Sequence, residues 1–324
     1  MDTFSHIIIG FLIFAKYDLR LAFIAGFMAM FVDLDILIYP LGLKFPIFEH
    51  RGIVHAIPIA IVYTAIVAFV FMFLTKLNYA LILIAGLTGS LLHIFCDTLT
   101  NYGTYSLYPI VKKHIKLNII YGVDPATIFI SIPSLIYLYY FYITANFVAF
   151  YYLCTLISIV FVSYFLIHII LKLIVTIKFK KETLPTFSRI TFKIIDVKYL
   201  VSGNEKYKLL KWRNYNIITR HLSSEKSFKL PLYEVNPPLN SEDEMIAYSY
   251  ELKGVKKTFN RLDYIVCKIK GKQDNWTDIF WYSLELNSKK FNMGIDVILK
   301  KDGNYKIKRY YPIIGKTNLF FKKI

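Results

Sequence analysis

Polar and apolar positions divide the chain into two parts. Up to about residue 177 apolar residues run almost unbroken; beyond it they alternate with lysine, tyrosine and short polar turns. The runs Ala56–Leu74, Tyr79–Cys96, Ala126–Ile143 and Phe147–Ile177 each approach or exceed the roughly 20 residues that an α-helix needs to cross hydrocarbon. Two earlier runs, Ile7–Ala15 and Leu21–Ile38, predict a short helix and a helix interrupted by carboxylates, which makes about six membrane-embedded helices. The first run has neither a basic leader nor a small-residue cleavage site, so it reads as part of the mature protein rather than as a signal peptide.

Past about Thr183 the pattern changes. Arg189–Leu200, Tyr207–Thr219, Met245–Leu252, Tyr264–Lys270, Phe280–Leu286, Ile295–Lys300 and Tyr305–Tyr311 show the β-branched and aromatic alternation of strands. Asp302-Gly303-Asn304 predicts a hairpin turn between the last two, while Pro237-Pro238 and Asn240–Glu244 mark the main surface loop. The expected architecture is therefore a polytopic α-helical membrane domain over residues 1–180. A small antiparallel, β-rich (α+β) soluble domain with room for one helix follows over 181–324.

Composition agrees: 56% hydrophobic residues and a mean hydropathy of +0.46 exclude an ordinary soluble protein. Charge is split unevenly. Residues 1–177 hold nine Lys+Arg against seven Asp+Glu and residues 178–324 hold 30 against 15, so +15 of the net +17 falls in the second part. Lys178, Lys180 and Lys181 follow the last apolar run directly, a positive-inside signal that places the basic domain in the cytoplasm. Threading back through six crossings puts the Lys112–Lys116 loop and the N-terminus inside the cell and the Lys76 turn outside, with Lys16 and Arg20 as an exception on the outer side. Cys96, Cys154 and Cys267 are widely spaced, which argues against both a disulfide framework and a thiolate zinc site.

Against this apolar background the chemistry is conspicuous. His6, Asp33 and Asp35, His50 and His55, and His93 and Asp97 all fall within or beside apolar runs, where an ionisable group costs several kcal/mol unless it is paired or bound to a metal. On the threading above all seven lie at the cytoplasmic ends of their helices. Gly52 lets the chain turn between His50 and His55, and His93 and Asp97 share one helix face at i and i+4. Arg51 cannot deprotonate to become a ligand, but its planar fork suits a phosphate or carboxylate. Mixed imidazole and carboxylate donors suit zinc first, then manganese or iron, and seven candidates exceed one tetrahedral site, so one or two divalent ions with an activated water are expected.

These residues carry a family resemblance. His6, Asp33-Leu-Asp35, His50-Arg51-Gly52-Ile-Val-His55, and His93-Ile-Phe-Cys-Asp97-Thr-Leu-Thr-Asn101-Tyr102-Gly103-Thr104, continuing through Pro109 and Val123-Asp124-Pro125, resemble the membrane-bound metal-dependent hydrolase family of bacteria and archaea. The resemblance covers about residues 1–145, and the bacterial members include LexA-regulated proteins. It implies a polytopic metal-dependent hydrolase distantly similar to zinc-dependent phospholipase C and single-strand nucleases. It also implies that His6, Asp33, Asp35, His50, His55, His93, Asp97 and Asp124 serve as metal ligands or their partners, with Arg51 binding or orienting substrate. Ala56 stands where members often carry Ser, which excludes a serine nucleophile at that point.

The expected reaction is hydrolysis of a phosphoester, either a phospholipid or a lipid phosphate, at the cytoplasmic surface of the plasma membrane. Asp35, Arg51 and Asp124 are the catalytic candidates, and Arg51, Lys112 and Lys113 would bind substrate. Membrane lipid is then both environment and substrate. The basic domain is expected to lie against anionic lipid rather than nucleic acid, because lysines alternating along a strand are ordinarily edge protection. Two readings without catalysis remain beside this one: a metal or proton transporter, and a membrane protein whose metal only holds helices together.

Overall fold

A computed structural model of the chain describes residues 2–34, 51–122, 124–186, 188, 190–202, 205–259, 262–273, 276–284 and 294–310. The chain divides into two compact units, Met1–Lys172 and Leu173–Ile324, and the division falls inside one long helix.

Six apolar helices build the first unit among its described residues: α1 Thr3–Phe14, α2 Leu19–Phe31, α3 Ile57–Thr75, α4 Tyr79–Thr98, α5 Pro125–Ile143 and α6 Phe147–Phe179. Four of them, α3 to α6, are long and apolar enough to cross a membrane. The other two, of 12 and 13 residues, reach only about 20 Å at 1.5 Å per residue, short of a ~30 Å hydrocarbon core. They form a hairpin whose turn is fixed by Asp18. Its carboxylate caps α2 at Arg20 N (2.8 Å) and pairs with the Arg20 guanidinium (2.8 Å). Asn78 caps α4 and Asp124 caps α5 in the same way, each accepting a backbone N–H of the first turn.

These helices approach closely because small residues meet at their crossings. The Ala25 carbonyl of α2 is pressed from two sides: a Cβ built on Gly89 of α4 would stand 2.0 Å from its oxygen, and one on Gly10 of α1 would stand 2.8 Å from it. Hydrocarbon offers no hydrophobic drive for helix association, so such close packing is what holds the bundle together. Around it Leu21, Ile24 and Met28 of α2 pack with Ala68 of α3 and Ile82 and Ala85 of α4. Ile8 and Phe11 of α1 pack with Leu138 of α5 and Phe150, Ile157 and Phe161 of α6. On the outside, exposed Ile61, Val62, Ile66, Phe69 and Phe73 make α3 a lipid-facing surface.

The second unit holds two four-stranded antiparallel meanders. One contains β1 Glu182–Pro185, β2 Thr191–Ser202, β3 Glu205–Asn216 and β4 Lys226–Pro231; the other contains β5 Ile265–Gln273, β6 Trp276–Ser283, β7 Gly294–Lys300 and β8 Tyr305–Tyr310. Leu184, Ile195 and Leu210 from the first share a core with Val266 and Leu284 of the second. Between the sheets in sequence lie α7 Glu242–Glu251 and α8 Lys253–Phe259. The strand expected over Met245–Leu252 is thus a helix. Ser241 Oγ accepts from Glu244 N and the Glu244 carboxylate returns to Ser241 N, a capping box that starts a helix where a surface loop was expected. Trp281 is fully buried and donates its indole N–H to Ser249 of α7 (3.1 Å), which anchors that helix on the sheet.

Replacing Gly89 with valine forces a side chain into the Ala25 carbonyl. We expect a lower unfolding temperature in detergent, in keeping with the ~1–3 kcal/mol typical of overpacking. Gly271→Ala, where the added Cβ meets nothing nearer than 3.8 Å, is expected to leave the transition unmoved in the same measurement.

Candidate metal centre

The polar ends of the helices meet at one level of the first unit. His6 lies one turn into α1. Asp33 sits in the 3₁₀ turn Val32–Leu34 that terminates α2, His55 ends the 3₁₀ turn Ile53–His55 that leads into α3, and His93 and Asp97 occupy the last turns of α4. All five are buried, at 6% exposure or less.

Four of them bring one donor atom each to a common point. Asp33, His55, His93 and Asp97 offer ligand atoms that all lie within 4.8 Å of one another. His93 Nε2 is 3.3 Å from His55 Nε2, 3.4 Å from Asp33 Oδ1 and 3.6 Å from Asp97 Oδ2. His55 Nε2 is 3.6 Å from Asp33 Oδ1 and 3.8 Å from Asp97 Oδ2. For ligand bonds of about 2.0–2.2 Å, the edges of a tetrahedron measure roughly 3.3–3.6 Å, so four of these five separations fall in the range a small metal ion would set and the fifth, 3.8 Å, lies just outside it.

Neighbouring groups aim these donors. His93 Nδ1 lies 2.6 Å from the Ala29 carbonyl, which as acceptor fixes the proton on Nδ1 and leaves the Nε2 lone pair toward the cluster. Thr3 donates to Asp33 Oδ2 at 2.7 Å, on the carboxylate oxygen not used above. His6 stacks on the His93 ring at 3.7 Å between centroids, and its Nε2 lies 3.3 Å from Asp97 Oδ1. The start of α1 is in turn tied to α5: Asp2 accepts from Ser5 N and from Thr127 Oγ1, and Ser5 Oγ meets Ser131 Oγ at 2.7 Å.

Arg51 is buried too, with a left-handed backbone (φ 61°). Its Nη2 stands 2.9 Å from Asp97 Oδ1, its Nη1 donates to Thr100 Oγ1 at 3.0 Å, and its guanidinium lies 5.2 Å from the centre of the Tyr102 ring. Asp97 thus pairs with this guanidinium, while the Asp33 carboxylate lies beside the His55 and His93 rings. Carboxylates buried in this way need positive compensation, which a divalent cation at the four donors would supply.

The remaining candidates are placed differently. Asp124 caps α5 through Ala126 N and accepts the Tyr164 hydroxyl of α6; it is not among the four donors. Lys112 and Lys113 lie on an exposed loop, and Asp35 and His50 fall outside the described residues. Thr3, Thr100 and Tyr164 did not stand out in the sequence. The first two had a signal, since each is three positions from a site residue, His6 or Asp97, whereas Tyr164 is one tyrosine among many on an apolar helix.

Asp97→Asn keeps the shape of the side chain and removes its charge, and His93→Ala removes a donor. Both variants are expected to lose most of the divalent metal bound per chain, read by mass spectrometry of protein purified without chelator. Thr88→Ala on an exposed part of the same helix is expected to retain it.

Comparison with known proteins agrees with a membrane location. Over 155 residues the chain is 28% identical to the uncharacterised protein YfhP of Bacillus subtilis (strain 168), an alignment covering 43% of this chain and 46% of that protein. The chain thus spans about half the length of this relative. No solved structure matches. Residues 1–170, more than half of the chain and every candidate residue discussed above, match the family described as YdjM inner membrane protein, and the chain belongs to that family.

Proposed function

We propose that this chain is a membrane-embedded, metal-dependent hydrolase acting on a phosphoester, a phospholipid or lipid phosphate, at the cytoplasmic surface of the membrane. The observation that supports it is the convergence of Asp33, His55, His93 and Asp97 on one point beside the buried guanidinium of Arg51. A divalent ion held there would supply Lewis acidity and a water acidified to near neutral pH. The chain's own groups have distinct parts. Arg51, held by Asp97 and Thr100, presents a planar cation to a phosphate oxygen. Asp35 is two residues from Asp33, so the chain keeps their Cα atoms within about 7 Å, and we assign it the role of accepting the proton of the attacking water. His50, adjacent to Arg51, is assigned as a further ligand. Asp124, held by Tyr164, keeps the start of α5 at this level, and Lys112 and Lys113 draw an anionic headgroup from outside.

The orientation belongs to the same proposal. The α1–α2 hairpin returns to the side on which it starts, whether or not it crosses fully, and α3–α4 and α5–α6 each go out and come back. The N-terminus, the site and the basic unit then share one side, and the lysines after α6 make that side cytoplasmic.

The test is an assay of detergent-purified protein on phosphatidyl and prenyl-phosphate substrates. Release of product that chelator abolishes, added zinc or manganese restores, and His93→Ala lacks is the expected outcome. A metal-free protein with no chelator-sensitive release would overturn the proposal. One observation favours a second reading: four protein donors already complete a tetrahedron, as in closed structural sites. In that case chelation lowers the unfolding temperature, while no substrate is turned over at any metal concentration.

A further inference from the structure

The connection from α4 to α5 carries an exposed apolar turn. Leu107 is 41% and Ile110 85% exposed, Pro109 between them is exposed as well, and the exposed Lys112 and Lys113 follow directly. From Thr98 to Gly122 the chain has three lysines and no Asp or Glu. The turn is firmly built. Thr104 and Ile115 exchange backbone hydrogen bonds at its base (3.1 and 2.8 Å), and the Tyr105 and His114 rings meet there at 3.9 Å between centroids. Within it Tyr108 N donates to Tyr105 O and Val111 N to Leu107 O. A tip held in this way is already ordered, so little entropy remains to be lost when it meets an apolar phase.

Two helices fix the level of this turn. α3 has 19 residues, about 28 Å at 1.5 Å per residue, which just matches a ~30 Å hydrocarbon core. With no length to spare, Ile57 at its start lies at the edge of hydrocarbon. The Ile57 N–H, which has no partner within its own helix, donates to the Ser106 carbonyl at 2.9 Å, so the residue before Leu107 shares that level. The first Lys or Arg of α6, Lys172, marks the same edge: its Nζ donates to the Leu117 carbonyl, and Leu117 N donates to the Thr98 carbonyl at the end of α4 (2.8 Å). A lysine stem reaches from hydrocarbon to the first polar layer in this way. The headgroup layer adds roughly 5–8 Å on each side of the hydrocarbon. A single closed turn is on the order of 5–6 Å across, so Leu107–Ile110 stays within that layer whichever way it leans. Exposed Ile59 and Ile61 continue the apolar surface along α3.

We propose that the Leu107–Ile110 turn is seated in the headgroup layer as an interfacial anchor, with its apolar side chains on the first methylenes and Lys112 and Lys113 on lipid phosphates. Apolar groups backed by cations are the combination that this depth favours, and the half-buried Tyr105 and Tyr108 add rings of the amphipathic kind found there. With no carboxylate in the stretch nothing repels an anionic lipid, while the lysines disfavour a second copy of the same turn. Ile57 follows His55 by two residues, so lipid held at the turn adjoins the metal centre. The seating itself is independent of any reaction there.

The experiment uses the full chain in lipid nanodiscs of phosphatidylcholine and phosphatidylglycerol, with an environment-sensitive fluorophore on Ile110→Cys. Ile66→Cys, at the middle of α3 where Ile66 is 62% exposed, gives the hydrocarbon reference, and the fluorophore on free cysteine gives the aqueous one. The unsubstituted chain, whose three cysteines are buried, gives the labelling background. The expected result at 110 is emission blue-shifted from the aqueous reference and quenched more by a nitroxide near the lipid carbonyl than by one near the chain end, with the reverse order at 66. Quenching at 110 is also expected to be stronger when that nitroxide is carried on phosphatidylglycerol than on phosphatidylcholine, a difference that Lys112→Gln together with Lys113→Gln removes. Aqueous emission at 110 with quenching by iodide alone would overturn the proposal. So would a label shielded from iodide and nitroxide alike, which would mean that protein covers the turn. Equal quenching by the two labelled lipids in the unsubstituted-lysine chain would overturn the part given to Lys112 and Lys113.

Discussion

Two buried carboxylates at the wrong ends of helices govern the first unit. Asp97 stands in the last turn of α4, and Asp33 lies two residues past the last residue of α2. Helix C-termini carry partial negative charge, so each carboxylate meets an unfavourable macrodipole as well as the cost of burial. Neither position would persist without strong positive compensation. Arg51 supplies one cation to Asp97, and the imidazoles of His55 and His93 turn toward both acids. The arrangement is one that could hold a metal ion: acids where a helix alone would not place them, and imidazole nitrogens turned toward them.

Such a site requires helices that approach closely, because aspartate is short. The contact of Gly10 and Gly89 with the Ala25 carbonyl brings α1, α2 and α4 to near backbone contact, and His6, Asp33, His93 and Asp97 are the polar groups at the end of those same three helices. The polar network from Asp2 to Thr127 and Ser131 fastens α5 to this group. Packing by small residues and convergence of ligands are thus one design. Without the glycines the helix axes would stand apart, and the donor atoms would lose their 3.3–3.8 Å spacings.

Much of this was legible in the sequence. Long apolar runs gave the four spanning helices, because hydrocarbon imposes a length that composition reveals directly. The i, i+4 pair His93–Asp97 and the short segment from Arg51 to His55 placed three of the four converging donors and their cation near one another, and Asp33 was conspicuous as a charge with little reach to water. Other features were hidden for physical reasons. The roles of Gly10 and Gly89 depend on which helix lies opposite, and the Tyr164–Asp124 contact joins residues 40 apart with no local signal. In the second unit alternation marked most strands, but β1, of four residues, is too short to show a period. Met245–Leu252, read as a strand, is held in a helix by the capping box before it, a local hydrogen-bond pattern that outweighs the β preference of its tyrosines.

A membrane edge makes opposing demands on a polar site, and the chain answers them in two ways. On the hydrocarbon side polar atoms must find partners within the protein, as His93 does at the Ala29 carbonyl and Asp33 at the Thr3 hydroxyl. Lys112 and Lys113, by contrast, are exposed cations on a loop of the same unit. The second unit has the same pairing of apolar and cationic groups at Tyr199, Val201 and Lys206, built on strands instead of helices. Both units thus set cationic groups beside apolar ones, the first on helices and loops and the second on strands.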